Sequence, residues 1–421
     1  MNSLLKQLWS IFILLPFALQ AGGVMLYEIS SADTRLGSAG WTSRAQDPST
    51  LFTNPAGMTR IKRPALELGL QTLNAHIDFS PDFADTTVLG TKGDASRWFP
   101  SGSFFYVHPI NDDFSVGLGN MAYFGADLNY KGNWVGRYYV KELYLQSFSL
   151  IGSAAYKITD KLSIGAGVNV MYGIFRQKSY IRDSLDSASD GRLKLHDVDL
   201  SVGAVVGALY EFSSCTRVGL QYLSPVQFNF HDTPHFSKIG PRLQSILAAT
   251  GLDKTKVKVD VNVPQSVMLG IYHDLNCTWS LMGDVGWQQW SNFNKVSIDL
   301  PFPNVPTLTS KNIYQDTWHA ALGAEYHLNT DWTFSGGIGY DSSAVSNAKR
   351  PLDFPVGEQW RFGNGARWYY SDNLTLDLCY ELQWSGDLSI NVDQGPLLGH
   401  VEGKFNDLYI QFINLNLTWA F

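Results

Sequence analysis

His231 and His235 stand four residues apart, the spacing that lets two imidazoles on one helical face share a zinc ion. Pro234 breaks a helix between them and no third ligand follows nearby, so the pair predicts no metal site. The nine histidines, among them His76, His108, His273, His319 and His327, are scattered, and no serine, histidine and carboxylate recur in a pattern that nucleophilic catalysis would need. The sequence therefore reads as no enzyme and calls for no cofactor. The remaining reactive groups are three cysteines, Cys215, Cys277 and Cys379, and what they can do depends on the elements that hold them.

Those elements are set by six short turns of one recipe: an aromatic, a tight cluster of Asn, Asp, Ser, Thr or Cys, then an apolar or aromatic residue. They run from Tyr106 to Asn111-Asp112-Asp113-Phe114, Tyr156 to Thr159-Asp160-Lys161-Leu162, Tyr210 to Ser213-Ser214-Cys215, Tyr272 to Asn276-Cys277-Thr278-Trp279, Tyr326 to Asn329-Thr330-Asp331-Trp332, and Tyr370 to Ser371-Asp372-Asn373-Leu374. Successive turns are 48, 55, 62, 54 and 41 residues apart, measured between Asp112, Asp160, Cys215, Cys277, Asp331 and Asp372. Each step holds two strands and one long loop. Short turns on one side and long loops on the other are the outer-membrane pattern. With both barrel ends on the short-turn side, six turns require seven long-loop hairpins. The predicted fold is an all-β transmembrane barrel of 14 antiparallel strands.

The strands are predicted at 65–77, 98–109, 114–126, 138–157, 162–179, 192–212, 216–231, 256–274, 278–296, 311–328, 331–342, 358–371, 373–389 and 404–421. In the fifth, Ile164, Ala166, Val168, Val170 and Tyr172 share one face, with Gly165, Gly167, Asn169 and Met171 opposite, as a lipid face opposes a lumen face. Tyr156, Trp279, Tyr326 and Trp332 form the expected periplasmic girdle. The last strand ends in Phe421, typical of substrates of the outer-membrane assembly machinery.

Composition agrees: 16% charged, 14% aromatic, 38 glycines, and past the N-terminus no apolar run of membrane-helix length. Lys6 followed by an apolar stretch from Leu8 to Leu19 and then Gln20-Ala21 reads as a signal peptide over 1–21. Cleavage there leaves 30 basic against 38 acidic side chains, a net charge of −8, and no basic cluster suited to nucleic acid. Residues 22–62 do not alternate like a strand. They are predicted to form a partly helical hatch, outside the barrel or plugging its lumen, with the barrel spanning 63–421.

Cys215 and Cys277 both fall on the short-turn rim of adjacent strands. A disulfide and two free thiols are equally open there. Between His231 and Lys254, Phe236, Ile239, Leu243, Ile246 and Leu247 read as the apolar stripe of a loop helix, either packed on a neighbouring loop or serving as a landing groove for an apolar ligand.

Several segments, in order, resemble the FadL/TodX (OMPP1) family of outer-membrane transporters over essentially the whole mature chain. They are Asn54-Pro55-Ala56-Gly57-Met58; Val263 to Gly270 followed by Trp287, Trp290 and Ser291; Asp316-Thr317-Trp318 with Ala321-Leu322-Gly323; Trp332-Thr333-Phe334; Gly339-Tyr340-Asp341-Ser342-Ser343; and Phe354-Pro355 to Trp360, Gly365 and Tyr369. Ser343-Ala344-Val345 and Gly357-Glu358 depart from the usual family pattern.

The resemblance implies import of long-chain fatty acids or other hydrophobic molecules by a monomer in the outer membrane of a Gram-negative bacterium. The implied route is loop capture, lumen binding, a hatch shift at Asn54, Pro55 and Ala56, and lateral exit at a kinked third strand. Here that strand holds Gly117, Gly119 and Tyr123-Phe124-Gly125-Ala126, with Phe124 and Gly125 at the opening. A carboxylate would need a cation, and Arg137, Arg176 and Lys311 are the candidates; rim contacts to lipopolysaccharide phosphate or lumen ion pairs are the alternative roles. An aromatic-hydrocarbon importer would have no use for a buried cation. A general porin would need no hatch.

Overall fold

The six turns share a physical reason for their recipe. In each, the side chain of the first polar residue accepts the backbone N–H three residues on: Asn111 from Phe114 (2.8 Å), Thr159 from Leu162 (3.0 Å), Ser213 from Thr216 (3.1 Å), Asn276 from Trp279 (2.9 Å), Asn329 from Trp332 (2.8 Å) and Ser371 from Leu374 (3.2 Å). A short polar side chain thus closes the turn locally and aims the next strand back up the wall. The computed structural model describes residues 25–85, 90–183, 190–293, 295–298, 308–309, 313–394 and 398–421; the predicted signal peptide at 1–21 and Lys311 lie outside them.

Fourteen antiparallel wall strands follow one another among the described residues. They are Ala65–Ala84; Arg97–Pro109; Phe114–Met121 resumed at Gly125–Asn129; Glu142–Lys157; Leu162–Ile181; Gly191–Glu211; Thr216–Leu223 with Val226–Asp232; Val257–Val263 with Ser266–Asp274; Trp279–Gln288; Thr317–His327; Trp332–Asp341; Gln359–Ser371; Leu374–Asp393; and His400–Ala420. The first pairs with the fourteenth from Ala65↔Ala420 to Ala84↔Val401, so the sheet closes and the lower wall has no free edge. The fifth strand has the predicted faces: Ile164, Val168 and Tyr172 are exposed to lipid, and Asn169 and Met171 are buried at the lumen. At the rim Trp279 packs on Tyr326 and Trp332 stacks on Trp368, with centroids 4.8 and 5.7 Å apart.

Several boundaries differ from expectation, the first strand running on to Ala84 and the tenth beginning only at Thr317. The fourth strand begins at Glu142 rather than 138, because Tyr139 and Val140 both donate to the Gly136 carbonyl and hold a tight turn. The ninth ends at Gln288, where Asp316 takes the Trp287 indole N–H and the Ser291 amide. The upper halves of the seventh and eighth strands leave the wall at Pro225 and Pro264, residues without an N–H to give a ladder. They pair with each other and, with Lys295–Ile298 and Leu308–Thr309, make a separate four-stranded sheet.

The N-terminal segment fills the lumen. It contains helices Ser31–Arg35, capped by Ser30, and Thr50–Thr53, then a 3₁₀ turn Pro55–Arg60 capped by Asn54. Nearly every residue from Leu26 to Thr59 is buried.

Candidate functional site

The hatch is seated by polar contacts along the inward faces of the strands. Asp284 accepts the amides of Gly40, Trp41 (3.1 Å) and Thr42 (3.3 Å). Arg35 pairs with Glu325 (2.8 Å) and Arg44 with Asp33 (3.0 Å). Arg367 joins Asp47 (3.6 Å) and Asp377 (2.8 Å), while Arg361 joins Glu28, Asp341 (3.0 Å) and Glu381 (3.4 Å). Burial drives the Asp33 carboxyl above the usual carboxylate range, against the pull of Arg44 and Ser30. Burial also pushes on Asp47, but Arg44 and Arg367 outweigh it and hold that carboxyl below the range.

None of these partners was singled out from the sequence. The available signal was an ionisable residue at an inward position of a wall strand, where its only outlet is the lumen. Asn54 makes the local bond expected of it, accepting from the Ala56 amide at 3.2 Å, and also donates to Thr42 O (2.7 Å) and to Ala208 O of the wall (3.0 Å). Pro55 and Ala56 lie against Gly165, where a side chain would collide with them.

The third strand breaks between Met121 and Gly125. Its ladder with the second strand ends at Phe104↔Asn120, leaving Arg97 to Ser103 without a third-strand partner. Ser101, Gly102, Ser103 and Ala122 bound a narrow cavity there, shared with Glu28 and Ile29 of the hatch. Arg97 and Asp127 close it above, 3.4 Å apart. On the inside the hatch's first residues act as a substitute strand: Met25 bridges Phe124, and the Leu26 amide donates to Tyr123 O at 2.8 Å. Phe124 and Gly125 thus lie at a real discontinuity in the wall, covered by the N-terminal segment.

Above the hatch a cavity of about 580 Å³ opens among the long loops, lined by Tyr138, Tyr139, Tyr180, Leu193, Leu195 and Leu352. Burial pushes the Tyr138 and Tyr139 hydroxyls up to about 12; both stay neutral, Tyr138 donating to Asp190 and Tyr139 to the Gly399 carbonyl. Arg182 and Lys349 also line it, with no ion-pair partner among the described residues. Below, Leu352 and Phe354 lead to Phe293 and then Phe124, with ring centroids 5.1 Å apart for Phe354 and Phe293 and 6.1 Å for Phe293 and Phe124. A wider depression of about 670 Å³ lies on the lipid-facing wall among Leu269, Ile271, Val285 and Leu322, away from the lumen.

Of the candidate cations, Arg137 takes the alternative, ion-paired role, and Lys311 lies outside the described residues. Arg137 is a loop brace: its Nε donates to Asp190 at 2.7 Å, Tyr138 donates to the same carboxylate at 2.7 Å, and the guanidinium lies over the Tyr138 ring. A second carboxylate would have to displace Asp190. Arg176 is exposed over the Tyr144 ring and shares the outward parity of Ile164, Val168 and Tyr172, so it faces away from the lumen.

The loop stripe is also corrected. Phe236 lies in the short strand His235–Ser237 and Ile239 in the following turn, because Gly240-Pro241 starts the helix only at Pro241. Leu243, Ile246 and Leu247 alone share that helix, with Ile246 exposed and the others half-buried. Cys215 and Cys277 are exposed free thiols, and Cys379 is buried.

A closed barrel with an apolar outer band, aromatic rims and a plugged, broken-walled lumen is an outer-membrane protein of a Gram-negative bacterium, built for passage. The chain belongs to the family described as outer membrane protein transport protein (OMPP1/FadL/TodX), whose profile matches residues 13–408. It is 24% identical over 387 residues to the long-chain fatty acid transport protein of Escherichia coli, covering 85% of this chain and 86% of that one. It is 24% identical over 449 residues to outer membrane protein P1 of Haemophilus influenzae, covering 95% of each. Among solved structures, a Pseudomonas aeruginosa FadL homologue superposes with a TM-score of 0.83 at 22% identity, covering 95% of this chain and 100% of that one. The Ralstonia pickettii toluene transporter TbuX gives 0.66 at 17%, covering 94% and 99%. These structures share the fold.

Proposed function

We propose that this protein imports hydrophobic molecules, chiefly long-chain fatty acids, and delivers them sideways into the membrane. The carrying observation is the broken third strand, sealed by the chain's own Met25 and Leu26. The axial path is filled by the ion-paired hatch, whose removal would strand several buried charges, whereas the sideways path is closed by a few residues at one end of it.

An apolar ligand enters the vestibule because its surface leaves water there. Arg182 and Lys349 attract a carboxylate. The tail follows Leu352, Phe354 and Phe293 to Phe124, where it displaces Met25 and Leu26. The ligand then leaves between the second and third strands. Asn54, Pro55 and Ala56 hold the hatch body to the wall while its leading end moves.

The names of the E. coli relative and of the toluene transporter support two ligand classes, and the aromatic track from Phe354 to Phe124 would accept either. Uptake of labelled oleate and of toluene by cells whose only such transporter is this protein distinguishes them, with a bulky substitution at Gly125 as the block. Loss of oleate uptake in the blocked variant is the expected result. Toluene uptake alone would give the aromatic reading, and passage of small sugars instead of either ligand would overturn both in favour of a porin.

A further inference from the structure

The wall has a second discontinuity, between the sixth and seventh strands. Their ladder runs from Glu211↔Arg217 to Val205↔Leu223 and stops after the Ser224 amide reaches Ala204 O at 2.8 Å. It resumes only at Lys194↔His235, where the short strand His235–Ser237 returns to the wall. In between, Val226–Asp232 gives its ladder to Val257–Val263 on the far side.

Toward the sixth strand three carboxylates replace the missing ladder. Asp197 accepts the His231 amide, Asp199 the Asn229 amide and Asp232 the His196 amide, each at 2.7 Å. The other oxygen of Asp199 takes the Leu200 amide at 2.9 Å, and Ser224 Oγ takes that of Ala204 at 2.7 Å. Pro225 and Pro234 bracket the interval.

This seam has an apolar surface on each side. Outside, Val198, Leu200 and Val202 are 41, 63 and 59% exposed, the continuation of the lipid-facing band. Inside, Phe228 and Phe230 are buried and stacked on each other, and Phe230 stacks on Phe175. Gly173 leaves room for this, since a Cβ there would lie 2.7 Å from the Phe228 ring. Leu195, two residues above Asp197, and Val257, paired with Asp232, both line the vestibule. A barrel in lipid ordinarily satisfies its backbone by closing the ladder. Here that continuous ladder gives way to side-chain bonds that can be released without unpairing the strands on either side.

We propose that this seam is a second lateral passage, joining the vestibule to the outer leaflet, by which a hydrophobic ligand dissolved in that leaflet reaches the vestibule without crossing water. It rests on the reading that the protein carries hydrophobic ligands. The third-strand break then serves delivery and the seam serves loading. Asp197, Asp199 and Asp232 hold it shut, and Phe228, Phe230 and Phe175 form the inner slide.

The test uses the full-length protein with Cys215→Ser and Cys277→Ser in lipid vesicles, and a diazirine-bearing fatty acid dissolved in the bilayer. Peptide mapping after illumination is expected to find adducts on Phe228 and Phe230 as well as on outward Val198 and Leu200. Bridging Val198→Cys to Asn229→Cys with a short bis-maleimide is expected to lower the inner adducts at least 5-fold and spare Leu200. Asp197→Ala with Asp199→Ala is expected to raise them several-fold. Inner residues that stay unlabelled, or that label equally with and without the bridge, would overturn the passage. Import itself is read separately by the Gly125 block, so the two readings fail independently.

Discussion

Locking the hatch's leading end to the broken strand tests the transport route most directly. The Leu26 amide bonds Tyr123 O, which makes Met25 and Phe124 a non-hydrogen-bonded antiparallel pair. Such pairs have Cα atoms about 4.5 Å apart, inside the range a disulfide spans. Met25→Cys with Phe124→Cys, on a background of Cys215→Ser and Cys277→Ser, should therefore cross-link on oxidation. Without the link, freeing this end costs about 1 kcal/mol for the Leu26 backbone bond. Re-exposing Leu26, now 3% exposed, adds about 1.5–3 kcal/mol. The sum, about 2.5–4 kcal/mol, corresponds to an open fraction of roughly one in a hundred to one in a thousand, which a ligand preferring the open state by that margin can populate. A covalent bond removes the option altogether. Uptake of labelled oleate and of toluene should fall to background in the oxidised protein and return on reduction. Undiminished uptake by a protein whose disulfide is verified by mass spectrometry would refute the lateral route.

Four further outcomes follow from the contacts described above. Arg182→Ala with Lys349→Ala should raise the half-saturating oleate concentration about 3- to 10-fold, modest because both cations are solvent-exposed, and leave toluene uptake unchanged. Arg137→Ala should instead affect both ligands alike, since its carboxylate partner is the protein's own Asp190. Arg361→Ala strands Glu28 and Glu381 in the lumen, leaves Asp341 to His319 alone, and should cost about 3–5 kcal/mol, seen as a lower temperature for the electrophoretic shift of the heat-denatured barrel. Gly337→Val places a side chain where the Leu36 carbonyl sits and should unseat the hatch, giving steady ion conductance in planar bilayers where the native protein is closed.

The turns and strands were legible in the sequence because their causes are local, whereas the third-strand kink was implied by the family resemblance. Asn111 and its five counterparts bond three residues ahead, and parity along a strand such as Leu162–Ile181 is a period-two pattern. Asn54 was legible for the same reason, through its bond to the Ala56 amide. The pairing of Arg137 was not. Arg137 meets Asp190 fifty-three residues on, which no local pattern encodes, whereas the outward parity of Arg176 was already contained in the alternation of Ile164, Val168 and Tyr172. The loop stripe failed for a local reason that periodicity overrode: Gly240-Pro241 starts the helix after Phe236 and Ile239.

By itself the sequence determined a fourteen-stranded outer-membrane barrel and placed a non-strand segment before it, since turn chemistry, alternation and membrane-length limits act over a few residues. Only the tertiary structure decided which inward charges seat the hatch, that Met25 and Leu26 cover the third-strand break, and that aspartates stitch the sixth strand to the seventh. Those contacts join residues tens to hundreds of positions apart, and their partners are fixed by barrel closure and strand register, which no local pattern encodes.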